Sequence, residues 1–163
     1  MAEPKSRLPA IAFGLAGLVI VLDQAIKHQV LLLGLAPGQS RPLIGPFHLT
    51  MVWNQGVSFG LLQANHDLGR WVLTGFAFVM AGLFAWWART VKRPLLGLCY
   101  GLVIGGAIGN AVDRIRLGAV VDFFDATALM FPWVFNLADS AIVVGMGFLL
   151  LDSLQKQPAQ ADG

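Results

Sequence analysis

Four long apolar runs dominate the chain. The first extends from about Leu8 to Ile26 and is interrupted only by Asp23 and Gln24. The second, Trp71 to Ala88, and the third, Pro94 to Val112, contain no charged residue. The fourth, Val134 to Leu151, is interrupted by Asn136 and Asp139. Each has roughly the length a helix needs to cross a bilayer core. The pattern therefore predicts an all-α membrane protein with four transmembrane helices, over about 8–26, 71–88, 94–112 and 134–151, in a single integral membrane domain covering 1–163. The connection at about 38–63 is different. Its β-branched and aromatic residues, bounded by Gly and Pro, predict short strands and a small sheet on the membrane surface. The connection after the third run holds Gly118-Ala-Val-Val-Asp-Phe-Phe124 and an apolar stretch to Pro132. It predicts a short amphipathic piece lying in the interface.

Composition narrows the class. Hydrophobic residues make up 56% of the 163 residues and charged ones only 12%, against about 25% charged in a soluble domain. Mean hydropathy is +0.70. These values exclude a soluble globular enzyme and a disordered chain. A net charge of +2 from 11 basic and 9 acidic residues leaves no electrostatic footprint for nucleic acid. The one cysteine, Cys99, cannot build a disulfide framework or a Cys-rich metal site. The first run has a basic start, Lys5 and Arg7, as a signal peptide would. Its small-x-small site, Ala10-Ile11-Ala12, lies inside the apolar stretch, so it reads as a retained helix. Residues 1–7, the short link 89–93 and the tail carry Lys5, Arg7, Arg89, Lys92, Arg93 and Lys156. The two longer connections carry Lys27, Arg41, Arg70, Arg114 and Arg116. The density of positive charge in the short pieces predicts that both termini are cytoplasmic. Trp71, Trp86, Trp87 and Trp133 lie near the predicted span ends, as interfacial tryptophans do.

Ionisable groups inside a membrane are costly and need a reason. Asp139 stands roughly 18–20 Å along the fourth helix from Asp152, which places it in the outer half of the membrane. Asn136 is one turn away. Asp122 sits between Val121 and Phe123 in a segment that must return to the membrane, so it can meet Asp139 near the outer interface. Asp125 competes for the same role. Asp23 precedes Lys27 at i+4, which reads most simply as a self-neutralised pair at a helix end. In the third run Gly97, Gly101, Gly105 and Gly109 recur every four residues beside Gly106, a pattern for close helix packing. Two carboxylates a few ångströms apart share a proton. One then activates water as a general base while the other donates a hydrogen bond to a carbonyl oxygen. Proton relay in a small transporter or channel is the alternative use of intramembrane aspartates.

Rival chemistries fit less well. Gly56-Val57-Ser58-Phe59-Gly60 matches a nucleophile elbow, but the acid and histidine do not follow in the required order. His28, His48 and His66 have no metal-ligand spacing.

Several blocks occur together: Asp23-Gln24-x-x-Lys27, Asn54-x-Gly56-x-x-Phe59, Gly105-Gly-Ala-Ile-Gly-Asn110-Ala-Val-Asp113-Arg114, Val120-Val-Asp122-Phe123 and Phe135-Asn136-x-Ala138-Asp139-Ser140. In this order, in a four-span chain of this length, they resemble the bacterial lipoprotein signal peptidases, or signal peptidase II. The resemblance covers nearly the whole chain. It implies an intramembrane aspartyl endopeptidase of the bacterial cytoplasmic membrane. Such an enzyme removes signal peptides from diacylglyceryl-modified prolipoproteins, cutting before the lipidated cysteine, and needs no cofactor. It also implies inhibition by the cyclic peptide globomycin, an active site on the extracytoplasmic side, a small extracytoplasmic β-cradle and a short interfacial helix. By matching motifs, Asp122 and Asp139 are the catalytic pair. Asn54, Gly56, Asn110, Arg114, Asn136 and Ala138 line the pocket or support the pair, and Asp23 and Lys27 support structure or activity. Ile26 departs from the family's usual Ser or Thr before the motif lysine. Gly56 and Gly60 would let the outer β-rich connection act as a mobile cover over the cleft.

Overall fold

The computed structural model describes residues 7–56, 66–131 and 133–155. Among them are four helices long and apolar enough to cross a membrane: α1 (Leu8–Leu32), α2 (His66–Ala88), α3 (Pro94–Leu117) and α4 (Leu137–Gln155). Four strands complete the fold: β1 (Ser40–Ile44), β2 (Phe47–Asn54), β3 (Val120–Asp125) and β4 (Val134–Phe135). They form one antiparallel sheet in the order β1-β2-β3-β4.

The helices differ from the hydropathy runs at their ends. α1 continues past Ile26 to Leu32, so Asp23 and Lys27 lie well within the helix rather than at its end. α3 continues through Asp113 and Arg114 to Leu117, where Gly118 in the left-handed conformation (φ 84°) stops it and its N–H bonds back to Arg114. α4 starts at Leu137, not Val134, because Val134 and Phe135 pair with Asp125 and Phe124 of β3. The piece expected to lie amphipathically in the interface begins instead as strand β3. Among the described residues between α3 and α4, helical structure is confined to one 3-10 turn at Thr127–Leu129.

The polarity of the bundle is inverted relative to a soluble protein. Large apolar side chains are exposed, among them Leu18, Val21, Val72, Phe76, Val79, Val143 and Leu150. Trp71, Trp86, Trp87 and Trp133 are exposed as well. The buried set contains Asp23, Lys27, Asn110, Asp113, Asp122 and Asn136. An apolar solvent around the helices reverses the usual cost of outward-facing hydrocarbon, while polar groups gain by turning inward to one another.

α3 is the central helix and packs against α1, α2 and α4. Its glycines make this possible. A Cβ on Gly101 would lie 2.6 Å from the Ala12 carbonyl oxygen, and one on Gly105 would lie 2.8 Å from the Ala16 oxygen. A Cβ on Gly106 would collide with the Ala138 carbonyl of α4, and one on Gly109 would lie 2.8 Å from Asp23 Oδ2. The four-residue spacing therefore seats α3 on the α1 backbone, while Gly106 admits α4. Gly97 makes only ordinary contacts.

The sheet closes one end of the bundle. The β1–β2 hairpin turns at Gly45, with φ 54°. Alternation along β3 directs Val121 and Phe123 into an apolar cluster with Val30, Leu35 and Met51. Asp122 consequently projects to the opposite face. We predict that Gly105→Ala destabilises the helix pair by about 1–3 kcal/mol, the range for overpacking a filled core. Gly14→Ala, where nothing lies within 4 Å of the added atom, leaves stability near the parent value. Thermal unfolding in detergent distinguishes the two.

Candidate active site

The α4 N-terminus begins the site. Asn136 precedes the helix and Asp139 is its third residue. Asn136 Oδ1 accepts from the Asp139 N–H at 2.9 Å, and Asp139 Oδ2 accepts from the Asn136 N–H at 3.2 Å. This reciprocal capping box satisfies two otherwise unpaired backbone donors and fixes the Asp139 carboxylate at the helix entrance. Its other oxygen, Oδ1, accepts from Asn110 Nδ2 at 2.7 Å.

Asp122 reaches the same point from β3 and is almost wholly buried. Its Oδ1 accepts from Asn136 Nδ2 at 2.7 Å and its Oδ2 from Asn54 Nδ2 at 2.8 Å. Asn54 ends β2 and is itself fixed by a 2.7 Å bond from the Gly56 N–H to its Oδ1. Gly56 holds φ 83°, and a Cβ there would collide with Leu73. Burial, followed by the nearby Asp139 charge, raises the Asp122 pKa to about 6, against the hydrogen bonds from Asn54 and Asn136. Asn136 thus joins the two acids, donating to Asp122 through its side chain and to Asp139 through its backbone.

Asp125, the competing acid, is engaged elsewhere. It accepts from Thr50 Oγ1 at 2.6 Å and from the Thr127 N–H at 2.9 Å. Those hydrogen bonds, from Thr50 foremost, hold it below the usual carboxylate range. It ties β2 to the 3-10 turn.

A second polar layer lies behind the pair. Lys27 Nζ contacts Asp23 Oδ2 at 2.8 Å, Asp113 Oδ2 at 2.8 Å and Asn110 Oδ1 at 3.0 Å. An ammonium has three N–H donors, and each has an acceptor here. Since Lys27 can only donate, Asn110 must turn its oxygen toward it and its NH2 toward Asp139. The two acids of this layer also act on the backbone. Asp23 Oδ1 accepts from the Ala138 N–H at 3.0 Å, and Asp113 Oδ2 accepts from the Val121 N–H at 3.2 Å. Ala138 immediately precedes Asp139, and Val121 immediately precedes Asp122. Gln24 closes the layer by donating to Asp113 Oδ1 at 2.8 Å.

All the expected site residues except Arg114 are therefore joined to this hydrogen-bond network directly. Arg114 stands beside it. Its side chain approaches the Gly56 position, and its Nε is buried without a hydrogen-bond partner among the described residues. Asp23 and Lys27 are not an isolated pair, because Asp113 makes them a triad. Asp113 was visible in sequence only as part of a motif. Its signal was the spacing from Asn110, one helical turn away on the same face. Ile26 is exposed and takes no part in the buried layer. Ser58, Phe59 and Gly60, which bear on the elbow match and the proposed cover, lie outside the described residues.

Beside Asn110 and Arg114 runs a furrow of about 380 Å³. Leu73, Phe76, Ala77 and Met80 of α2, Val103 and Ala107 of α3, and Ile142 and Met146 of α4 form its walls. Its lining is apolar except at the end where Asn110 and Arg114 stand.

The fold and site define a multi-pass membrane protein with two carboxylates joined at one end of its helix bundle. Residues 15–155 match the family described as signal peptidase (SPase) II, and the chain belongs to that peptidase family. It is 54% identical over 145 residues to a lipoprotein signal peptidase of Caulobacter vibrioides, covering 88% of this chain and 86% of the relative. It is 48% identical over 142 residues to one from Methylobacterium sp. strain 4-46, covering 85% and 86%. A solved bacterial membrane enzyme shares the fold with a TM-score of 0.77 at 21% identity, over 93% of this chain and 92% of that one.

The buried triad yields a stability prediction. Lys27→Met leaves two buried carboxylates without their cation and lowers stability by about 3–5 kcal/mol, as measured losses of one buried partner do. Combining it with Asp113→Asn recovers part of the loss. Thermal unfolding of the purified variants measures both effects.

Proposed function

We propose that the chain is an aspartic endopeptidase that removes the signal peptide from diacylglyceryl-modified prolipoproteins, with Asp122 and Asp139 as its catalytic pair. The observation that carries this reading is the pair of hydrogen bonds from Asn136, one to each carboxylate. They hold two acids from distant parts of the chain at one point, where burial favours a single shared proton. Membership in a peptidase family leaves the transporter alternative without support.

In this reading the ionised member of the pair takes a proton from water, whose oxygen attacks the scissile carbonyl carbon. The proton held by the other member passes to the carbonyl oxygen, giving a tetrahedral diol. On collapse a proton goes to the leaving nitrogen, the C–N bond breaks, and a diol proton returns to the pair. Neither a metal nor a covalent intermediate is required. The titration belongs to the pair rather than to either acid.

The furrow suits the substrate. A signal peptide is an apolar helix and can enter from the bilayer between α2 and α4, with its cleavage point at Asn110 and Arg114. The buried Arg114 Nε–H, which has no partner among the described residues, is suited to a substrate carbonyl. The diacylglyceryl group stays in lipid while the peptide bond meets the acids. The sheet forms the extracytoplasmic cradle, both termini face the cytoplasm, and the host membrane is the bacterial cytoplasmic membrane. Globomycin occupies the same cleft.

Asp122→Asn and Asp139→Asn should each lower cleavage of a lipidated precursor by about 10²–10⁴-fold with the fold retained. Full activity in either variant defeats the assignment. The pH dependence carries a sign. Because burial raises the Asp122 pKa to about 6, the singly protonated pair persists to that pH and is lost above it. The rate constant kcat/KM is therefore expected to fall as pH rises through about 6. A profile flat from pH 5 to pH 8 counts against the shared proton.

A further inference from the structure

The end of the bundle opposite the aspartates holds a cavity that the peptidase reading does not use. It lies at the short corner between α2 and α3, where Arg89, Lys92 and Arg93 follow Trp86 and Trp87. By helix rise, Arg93 is about 25 Å from Asn110. The cavity measures about 390 Å³ and is lined by Trp87, Thr90, Lys92, Arg93, Leu96 and Tyr100 among others.

Its lining is graded. Thr90, Lys92 and Arg93 form a polar rim on the corner itself. Leu96 and Tyr100 extend down α3, and Trp87 faces them from α2. Phe84 braces this wall, with ring centroids 5.3 Å from Trp87 and 5.7 Å from Tyr100. The rim is also held in place. Arg93 donates to both oxygens of Asp152 on α4, at 2.8 and 2.5 Å. Two of its five N–H donors are used there, and its side chain remains 44% exposed. Arg89 stacks over Trp86 with its guanidinium carbon 4.4 Å from the ring centroid. Among the described residues, the corner carries Arg89, Lys92 and Arg93, and Asp152 pairs with Arg93, so the charge of these groups is positive.

We propose that this corner binds the phosphate of an anionic phospholipid at Lys92 and Arg93, with an acyl chain lying along Leu96 and Tyr100. The charge complementarity selects an anion, since basic juxtamembrane clusters attract anionic headgroups. The apolar wall continuing into the bilayer selects one that carries a hydrocarbon chain, which a free phosphate lacks. The ring wall is already assembled by its own contacts, so the chain loses its freedom against a preformed surface rather than ordering one.

Native mass spectrometry of the full chain, released from detergent with equimolar phosphatidylglycerol and phosphatidylcholine of the same acyl chains, tests this. The anionic lipid should be retained preferentially. Lys92→Gln should reduce that preference about fivefold, the effect of one basic residue near a charged headgroup. Lys92→Arg should keep it, and Arg41→Gln, on β1 at the other end of the molecule, should leave it unchanged. Equal retention of the two lipids by the parent protein overturns the proposal and leaves the basic corner a topology signal only. Undiminished preference in Lys92→Gln overturns it as well. Loss of the bound lipid on adding inorganic phosphate assigns the site to a free anion instead. Lys92 is exposed, so unchanged thermal unfolding of its variants separates these outcomes from misfolding.

Discussion

One buried ammonium organises this molecule. Lys27 lies inside a helix whose outer face is hydrocarbon, where a solitary charge is costly. Its three donors are met by Asp23, Asp113 and Asn110, from two helices. The remaining capacity of those partners then sets the geometry of the candidate site. Asp23 fixes the backbone before Asp139, Asp113 fixes the backbone before Asp122, and Asn110 is oriented so that its amide reaches Asp139. Asp122 and Asp139 are thus placed from behind, by groups in a second polar layer.

That arrangement depends on close helix approach. The Lys27 side chain spans from α1 to α3 only because Gly101, Gly105 and Gly109 let the two backbones nearly touch. At Gly109 the space a Cβ would fill is occupied by the Asp23 carboxylate. Packing and electrostatics are therefore a single constraint here. The small residues bring the helices together, and the ion triad makes their separation costly, because parting them would expose charges to lipid.

Much of this was legible in the chain. The four apolar runs located the helices because bilayer thickness imposes a length that few other structures share. The i+4 spacing of glycines in α3 indicated a packing face correctly. The isolated aspartates stood out because the surrounding hydrocarbon made each one expensive. Helix ends were less legible. α1 runs on to Leu32 because Asp23 and Lys27, read as terminal, are paired across helices rather than exposed. The start of α4 was hidden because Val134 and Phe135 are as apolar as a helix end, and their strand pairing is with Asp125 and Phe124 of β3, nine and eleven positions earlier. Asp125 and Asp122 could not be separated by local pattern. Only the sheet register assigns Asp125 to the threonines and Asp122 to the asparagines.

Among the described residues, the hydrogen bonds around the aspartates join α1, α3, α4, β2 and β3, and none of them reaches α2. That helix meets the rest of the bundle through Ala81, Phe84 and Ala88 and through the ring contacts of Phe84 and Trp87 with Tyr100. The furrow thus has one bank tied to the aspartates by hydrogen bonds and one bank, α2, packed by apolar contacts. On the proposed reading, a guest segment resting against α2 does not press on the hydrogen bonds that set the two acids. Lining and placement are divided between elements: α2 supplies furrow wall, and the others supply the hydrogen bonds at the aspartates.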